Sequence, residues 1–332
     1  MEKVARTKTR VLLIVGLVPA LIVVAFIVAS GVALDRSKRS AVSATAEHAQ
    51  RLLRLELDQE ATAYRAAMEA VGLSPGLVHA MTAGDAAALK QAARPMFERL
   101  REQQGISYLN FIRADRSQIL HLEGTERSRQ VVDRLNLFDA AEAGEQPYGL
   151  DLDAFGTVTL RVVAPWRDVE GHLIGFIEVG RDVEPLIDSL RRVLGVEILV
   201  LVHKELLDRD RWEEGERMAG RQRSWDELAS SVAVVQTLQT VPMPIGLMIE
   251  DGSRSREVTV ALDNKKRHTY VFTVRPLSDI GSRQIGEIVV LMDISAISLI
   301  YNEMFIGLLV FAALLAGAGF LYARSLLADK AA

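Results

Sequence analysis

The chain has no cysteine among its 332 residues. Disulfides, a thiol nucleophile and thiolate-bound metals are thereby excluded. A strong excess of one charge is also missing: 39 Lys and Arg stand against 43 Asp and Glu, a formal net charge of −4. Nucleic-acid binding needs a basic face, and the composition offers none. No phosphate-cradling glycine loop and no nucleophile elbow occurs. His48, His79, His121, His172, His203 and His268 are scattered and give no ligand pair at i,i+4. No metal site and no cofactor are expected on that spacing. Paired catalytic groups with a recognisable spacing are absent as well, and no enzymatic activity is expected.

The chain does carry two long uncharged runs near its ends. Residues 11–34 form one of 24 and residues 304–322 one of 19. About 20 apolar residues cross a bilayer core as a helix. The first run is too long for the apolar region of a cleaved signal peptide. Lys3, Arg6, Lys8 and Arg10 precede it, and the second run has its positive flank at Arg324, with no Lys or Arg between Arg283 and that residue. Positive residues favour the cytoplasmic side. Arg36, Lys38 and Arg39 blur that rule, but both termini are expected inside and residues 35–296 outside. The expected organisation is a cytoplasmic tail at 1–10, a first span at 11–34, a second at 297–322 and a short tail at 323–332. The expected location is a bacterial inner membrane crossed twice, with the main domain in the periplasm.

Between the spans, residues 35–104 predict a helical stalk. They are rich in Ala, Leu, Glu, Arg and Gln, with Leu52, Leu53, Leu57, Tyr64, Met68 and Val71 at helical spacing. Ser74, Pro75 and Gly76 break the run. Gly84 or Asp85 starts a further helix through 86–101. Such a stalk suits packing or coiled-coil pairing, and a homodimer through it is expected.

From Gly105 the pattern changes to short alternating segments at 106–112, 118–122, 157–164 and 173–180. Alternation places successive side chains on opposite faces. One face collects Leu109, Phe111, Leu120, Leu122, Val158, Leu160, Val162, Ile177 and Val179, and wants a helix against it. The other collects Tyr108, Asn110, His121, Thr159, Arg161, Phe176 and Glu178. An antiparallel sheet can simply turn such a face to water, with Arg161 and Glu178 as a cross-strand ion pair. The same mixture also suits a small-molecule pocket.

An internal repeat weighs on that choice. Residues 164–183, APWRDVEGHLIGFIEVGRDV, align without a gap on residues 275–294, RPLSDIGSRQIGEIVVLMDI, at an offset of 111. Pro165, Asp168, Ile174, Gly175, Ile177, Val179 and Asp182 recur as Pro276, Asp279, Ile285, Gly286, Ile288, Val290 and Asp293. Arg161, Trp166 and Glu178 become Phe272, Leu277 and Val289. Turn-forming residues kept in both copies have a structural role; Asp182 and Asp293 are expected to cap the next helix or turn. Charged groups kept in one copy favour a ligand there. Tyr108, Asn110, His121, Arg161, Trp166, Phe176 and Glu178 are therefore the candidate ligand-binding residues, and Arg161 suits an anion. The run DRDRWEEGERMAGRQR at 208–223 is expected to be a solvated segment.

These stretches resemble the double Cache sensory domains of bacterial transmembrane receptors, in the class found before sensor kinases and diguanylate cyclases. The matching segments are YLNF at 108–111, GTVTLRVVAPW at 156–166, LIGFIEVG at 173–180, HKELLDRDRWEEG at 203–215 and GEIVVLMDIS at 286–295. The chain departs from the family around His121, where Ile119 and Glu123 replace its usual basic residue and proline. The resemblance implies an α+β fold: two tandem PAS-like modules with antiparallel sheets along one long N-terminal helix. The membrane-distal module would span 105–190 and the proximal one 191–296. It also implies that the distal module holds the ligand. The expected function is a membrane-anchored sensor that binds a small molecule, relays through residues 182–194 to the proximal module, and acts through the second span. Residues 323–332 contain no linker, kinase or cyclase motif, so the output would lie in a separate cytoplasmic or membrane signalling partner or in a missing part of the receptor. The alternative is a membrane-anchored scaffold whose modules bind proteins.

Overall fold

The computed structural model describes residues 2–123, 147–261 and 267–329, together with Asp139, Ala141 and Ala143. Contacts divide the chain into two compact units. One comprises residues 44–255 and 272–292; the other comprises 1–43, 256–271 and 293–332.

Helix α1 runs from Glu2 to Gly72. Beyond Ala44 it buries Ala46, Ala49, Leu53, Leu57, Ala61, Tyr64, Met68 and Val71, a stripe repeating every three or four residues as a helix laid on a core requires. The expected break is present: α2 (Pro75–Thr82) starts with its proline in the first turn, where a missing N–H costs nothing. Helix α3 (Ala86–Gln104) is capped by Asp85, whose side chain accepts from the backbone N–H of Ala87 and of Ala88, both at 3.0 Å. It ends at Gly105 in the left-handed conformation, φ 69°.

Two five-stranded antiparallel sheets come next. The first is built from β1 (Tyr108–Arg113), β2 (Gln118–Glu123), β3 (Tyr148–Leu152), β4 (Val158–Arg167) and β5 (Leu173–Asp182), in the order β2-β1-β5-β4-β3. After α4 (Glu184–Leu194), the second uses β6 (Glu197–His203), β7 (Ser231–Gln236), β8 (Ser255–Ala261), β9 (Arg267–Ser278) and β10 (Gln284–Asp293), in the order β7-β6-β10-β9-β8. The two orders are the same topology, so the sequence repeat extends from one hairpin to a whole sheet. Helix α5 (Arg209–Met218) lies between β6 and β7, α6 (Met243–Glu250) between β7 and β8, and α7 (Ser295–Asp329) comes after β10.

The repeated turns match atom for atom. Asp168 N–H donates to His172 O, and Asp279 N–H to Arg283 O, both at 2.9 Å. Each aspartate Oδ1 accepts the backbone N–H four residues on, at 2.8 and 2.9 Å. Gly171 and Ser282 occupy the same left-handed position, φ 88° and 60°. Asp293 does cap the start of α7, accepting the Ser295 N–H at 2.8 Å. At α4 the cap position belongs to Val183, with no side-chain cap bond.

Two further expectations change. Strand β3 was not among the expected segments, because glycine and aspartate interrupt its short apolar pattern. The segment 208–223 is not simply solvated: Trp212 and Glu216 are buried. Glu216 accepts from Arg221 at 3.0 Å and from Arg223 at 2.9 Å, which satisfies a carboxylate that burial would otherwise penalise.

Among the described residues no helix is long and apolar enough to cross a membrane. Residues 11–20 of the first expected span, the tail at 1–10 and the tail at 323–332 fall outside the described side chains.

Candidate functional site

Alternation along the first sheet sorts its side chains as expected. Leu109, Phe111, Leu120, Leu122, Val158, Leu160, Val162, Ile177 and Val179 join one core with the buried stripe of α1. The opposite face carries the polar residues, and register decides which of them meet.

His121, Asn110 and Glu178 lie in one row, because β1 pairs Asn110 with His121 on one side and with Glu178 on the other. The His121 Nδ1–H donates to Asn110 Oδ1, and the Asn110 amide donates to Glu178 Oε1 at 3.1 Å. Arg161 on β4 donates to the same Glu178 oxygen at 2.7 Å. Its Nε lies 2.5 Å from Asp151 Oδ2 on β3. The chain His121–Asn110–Glu178–Arg161–Asp151 thus crosses all five strands in spatial order. Glu123 closes its outer end, with Oε2 at 3.3 Å from His121 Nε2.

Arg161 and Glu178 are almost fully buried, with 1% and 0% of their side chains exposed, whereas Asp151 keeps 17%. The Tyr108 ring lies under the guanidinium at 5.1 Å, a favourable place for a cation. Tyr108 reaches it because its Cα partner is Gly180, where any Cβ would run into the phenol ring. Burial alone would lower the Arg161 pKa, but Tyr108, Glu178 and Asp151 outweigh it and hold the guanidinium charged, above its ordinary value.

Beyond the polar row lies an apolar cluster of Ile112, Ala141, Val163 and Phe176 with Leu173 against it. Six of the seven candidates, Tyr108, Asn110, His121, Arg161, Phe176 and Glu178, are therefore on one face. Trp166 is not. It sits with the even-numbered residues of β4, packs on Phe111 with ring centroids 5.6 Å apart, and donates its Nε1–H to Gly72 O at 2.9 Å. Trp166 anchors the end of α1 and does not belong to the polar face.

Asp151 is the member that sequence reasoning missed. Its signal was present as an acidic residue between Leu150 and Leu152 in an alternating pattern. Arg161 is likewise not an open cation, since two carboxylates already engage it. Elsewhere among the described residues, Asp168, Glu170 and His172 bring three ligand-type atoms within 4.8 Å of one another. Asp168 Oδ1 there accepts from the Glu170 and His172 backbone, so the group forms the hairpin turn.

Among curated proteins none matches the chain. Similar solved structures include the periplasmic domain of LuxQ from Vibrio cholerae, 12% identical, covering 76% of this chain and 99% of that one at a TM-score of 0.45. The ligand-binding domain of the Campylobacter jejuni chemoreceptor Tlp3, in complex with L-valine, is 8% identical and covers 79% of this chain and 95% of that one at 0.40. A domain of a sensory box/GGDEF family protein from Vibrio parahaemolyticus is 14% identical and covers 76% and 97% at 0.39. Residues 39–297 match the dCache family, described as the double sensory domain of two-component sensor kinases. With that match spanning most of its length, and two sheets of one topology beside a long helix, the chain belongs to the double Cache sensory domain family.

Proposed function

We propose that the protein is a membrane-anchored receptor whose first sheet binds a small molecule on its polar face and passes the event to α7. The observation that carries this reading is the five-strand polar row of the first sheet, whose two central members, Arg161 and Glu178, become Phe272 and Val289 in the second. Burying Arg161 with Glu178 is expensive unless both are well paired, and a sheet needing only stability would carry Phe272 and Val289, as the second copy does.

The exposure of the row suggests the ligand class. Asp151 is its most accessible carboxylate, with 17% of the side chain exposed against 7% for Glu123 and 0% for Glu178. The expected anion would meet a cation already matched on two sides, so we favour a ligand bearing a protonated amine. Its apolar part would lie toward Phe176, Val163 and Leu173. The chemoreceptor domain in complex with L-valine is compatible with that chemistry.

Membrane anchoring rests on the ends. Leu21, Ile22, Val24, Phe26 and Val28 of α1 are exposed, as are Met304, Ile306, Leu309, Phe311 and Leu314 of α7. Such contiguous apolar surface requires a cover, and a bilayer supplies it if residues 11–34 and 297–322 span. The reading keeps residues 35–296 in the periplasm, a distal module at 105–190, a proximal one at 191–296, a homodimer through α1, and signalling through a separate output partner without catalysis by this chain.

A thermal-shift screen of the full chain in detergent tests this, setting small amines and amino acids against organic acids of equal size. A ligand at a hundredfold excess over its Kd stabilises by about 2.7 kcal/mol. Stabilisation by an amine is expected; stabilisation by acids alone would overturn the ligand class, and by nothing in either panel, the site.

A further inference from the structure

The two carriers of the Arg161–Asp151 pair belong to one hairpin, β3–β4, with Gly149 opposite Arg161 and Asp151 opposite Thr159. Later parts of the chain, beyond the first sheet, hold that hairpin at two places.

The first is its turn. Asp153 Oδ1 accepts the N–H of Phe155 at 2.9 Å and of Thr157 at 2.7 Å, and Gly156 takes φ 80°. Helix α5 lies on this turn. A Cβ at Gly156 would collide with the Trp212 ring, and one at Gly215 would come within 2.9 Å of Phe155 Cβ.

The second is its edge. Ile280, at the tip of the β9–β10 turn, donates its N–H to Leu150 O at 2.8 Å. A Cβ at Gly149 would sit 2.8 Å from Ile280 Cβ, so glycine is what allows this approach. The contact is particular to the second copy. Val169, the repeat equivalent of Ile280, is 103% exposed against 36% for Ile280. The turn itself needs no such contact.

Beside the edge lies a cavity of about 650 Å³, lined by Gln50, Arg54 and Leu57 of α1, by Tyr148, and by Arg275 and Ser278 of β9. That space lets β3 and the β9–β10 turn move together past α1 without displacing packed core.

We propose that the β3–β4 hairpin is the lever coupling the polar face to β10, through Ile280 on Leu150, with Trp212 on Gly156 as its fulcrum. The inference rests on the ligand reading for its trigger but not for its mechanics. A ligand that draws Asp151 changes the Arg161–Asp151 contact and tilts β3. Leu150 carries the Ile280 turn with it, and β10 runs from that turn to within two residues of α7. This route is an alternative to the expected relay through residues 182–194, where Leu186, Ile187 and Leu190 of α4 are buried.

The test needs no ligand. Asp151→Asn keeps the shape and releases the charge, and amide exchange at residues 286–291 of β10 in the full chain reports the response. Exchange there is expected to rise about fivefold in Asp151→Asn, the lower end of usual coupling. The rise should vanish when Ile280→Ala is already present. The same rise with and without Ile280, or a rise confined to β3 and β4, would overturn the lever. If Ile280→Ala does not fold, Gly149→Ala, which pushes the turn off the edge, should give the same loss of response. A failed ligand screen with coupled exchange would sink the ligand reading alone.

Discussion

Arg161 Nη1 lies 2.7 Å from Glu178 Oε1 at a place where neither side chain meets solvent. The pair stands on β4 and β5, diagonally across the hairpin register that sets Val163 opposite Glu178. Removing Arg161 takes the cationic partner from the buried Glu178 carboxylate, which costs about 3–5 kcal/mol in comparable buried pairs. Arg161→Ala is expected to lose stability of that size by urea denaturation. Replacing both, as Arg161→Phe with Glu178→Val to copy the second sheet, should recover most of it. A single variant within about 1 kcal/mol of wild type would mean the pair is far more hydrated than its burial indicates.

Trp166 gives the contrasting case. Its indole holds the C-terminal end of α1 through Gly72 O and packs on Phe111. Trp166→Phe keeps an aromatic ring but drops the donor and part of the indole's volume, and is expected to cost about 1–3 kcal/mol. Ligand affinity should be unchanged, because the ring is on the helix side of the sheet. A variant of normal stability that no longer binds ligand would place Trp166 at the site after all.

A pH dependence is expected at the start of α7. Burial would raise the Asp293 pKa, but hydrogen bonds from Ser295 and the nearby His268 hold it below the usual 3.8. A carboxylate with a lowered folded pKa contributes stability above its unfolded value and loses it as pH falls through the folded one. Asp293→Asn keeps an acceptor for Ser295 without the charge. The melting temperatures of wild type and Asp293→Asn should differ above pH 3.8 and converge below it. A constant gap across that range would remove the ionic contribution.

Much of this architecture was legible from the repeat. Pro165 and Pro276, Asp168 and Asp279, and Gly175 and Gly286 mark turn and strand positions whose backbone demands do not depend on the ligand. Period-two alternation gave the two faces of the first sheet, and carried through to Trp166 it also places that residue on the helix side. The expected strand at 157–164 stops one position before Pro165, whereas in the structure β4 continues to Arg167. Asp151 was hidden for a different reason. Its meeting with Arg161 depends on the register of β3 against β4, set by the Asp153–Thr157 turn and not by composition. The contact of Ile280 with Leu150 joins residues 130 apart and leaves no local pattern in the sequence.

The central claim is that the polar face of the first sheet holds a ligand amine through Asp151. Isothermal titration of the best stabilising amine into the full chain, wild type against Asp151→Asn, tests it most directly. Losing a hydrogen bond to a charged group costs about 1.5–3 kcal/mol, roughly ten- to a hundredfold in Kd. Weakening of about tenfold or more in Asp151→Asn, with Trp166→Phe unchanged, is the expected result. Equal affinity in wild type and Asp151→Asn would contradict it.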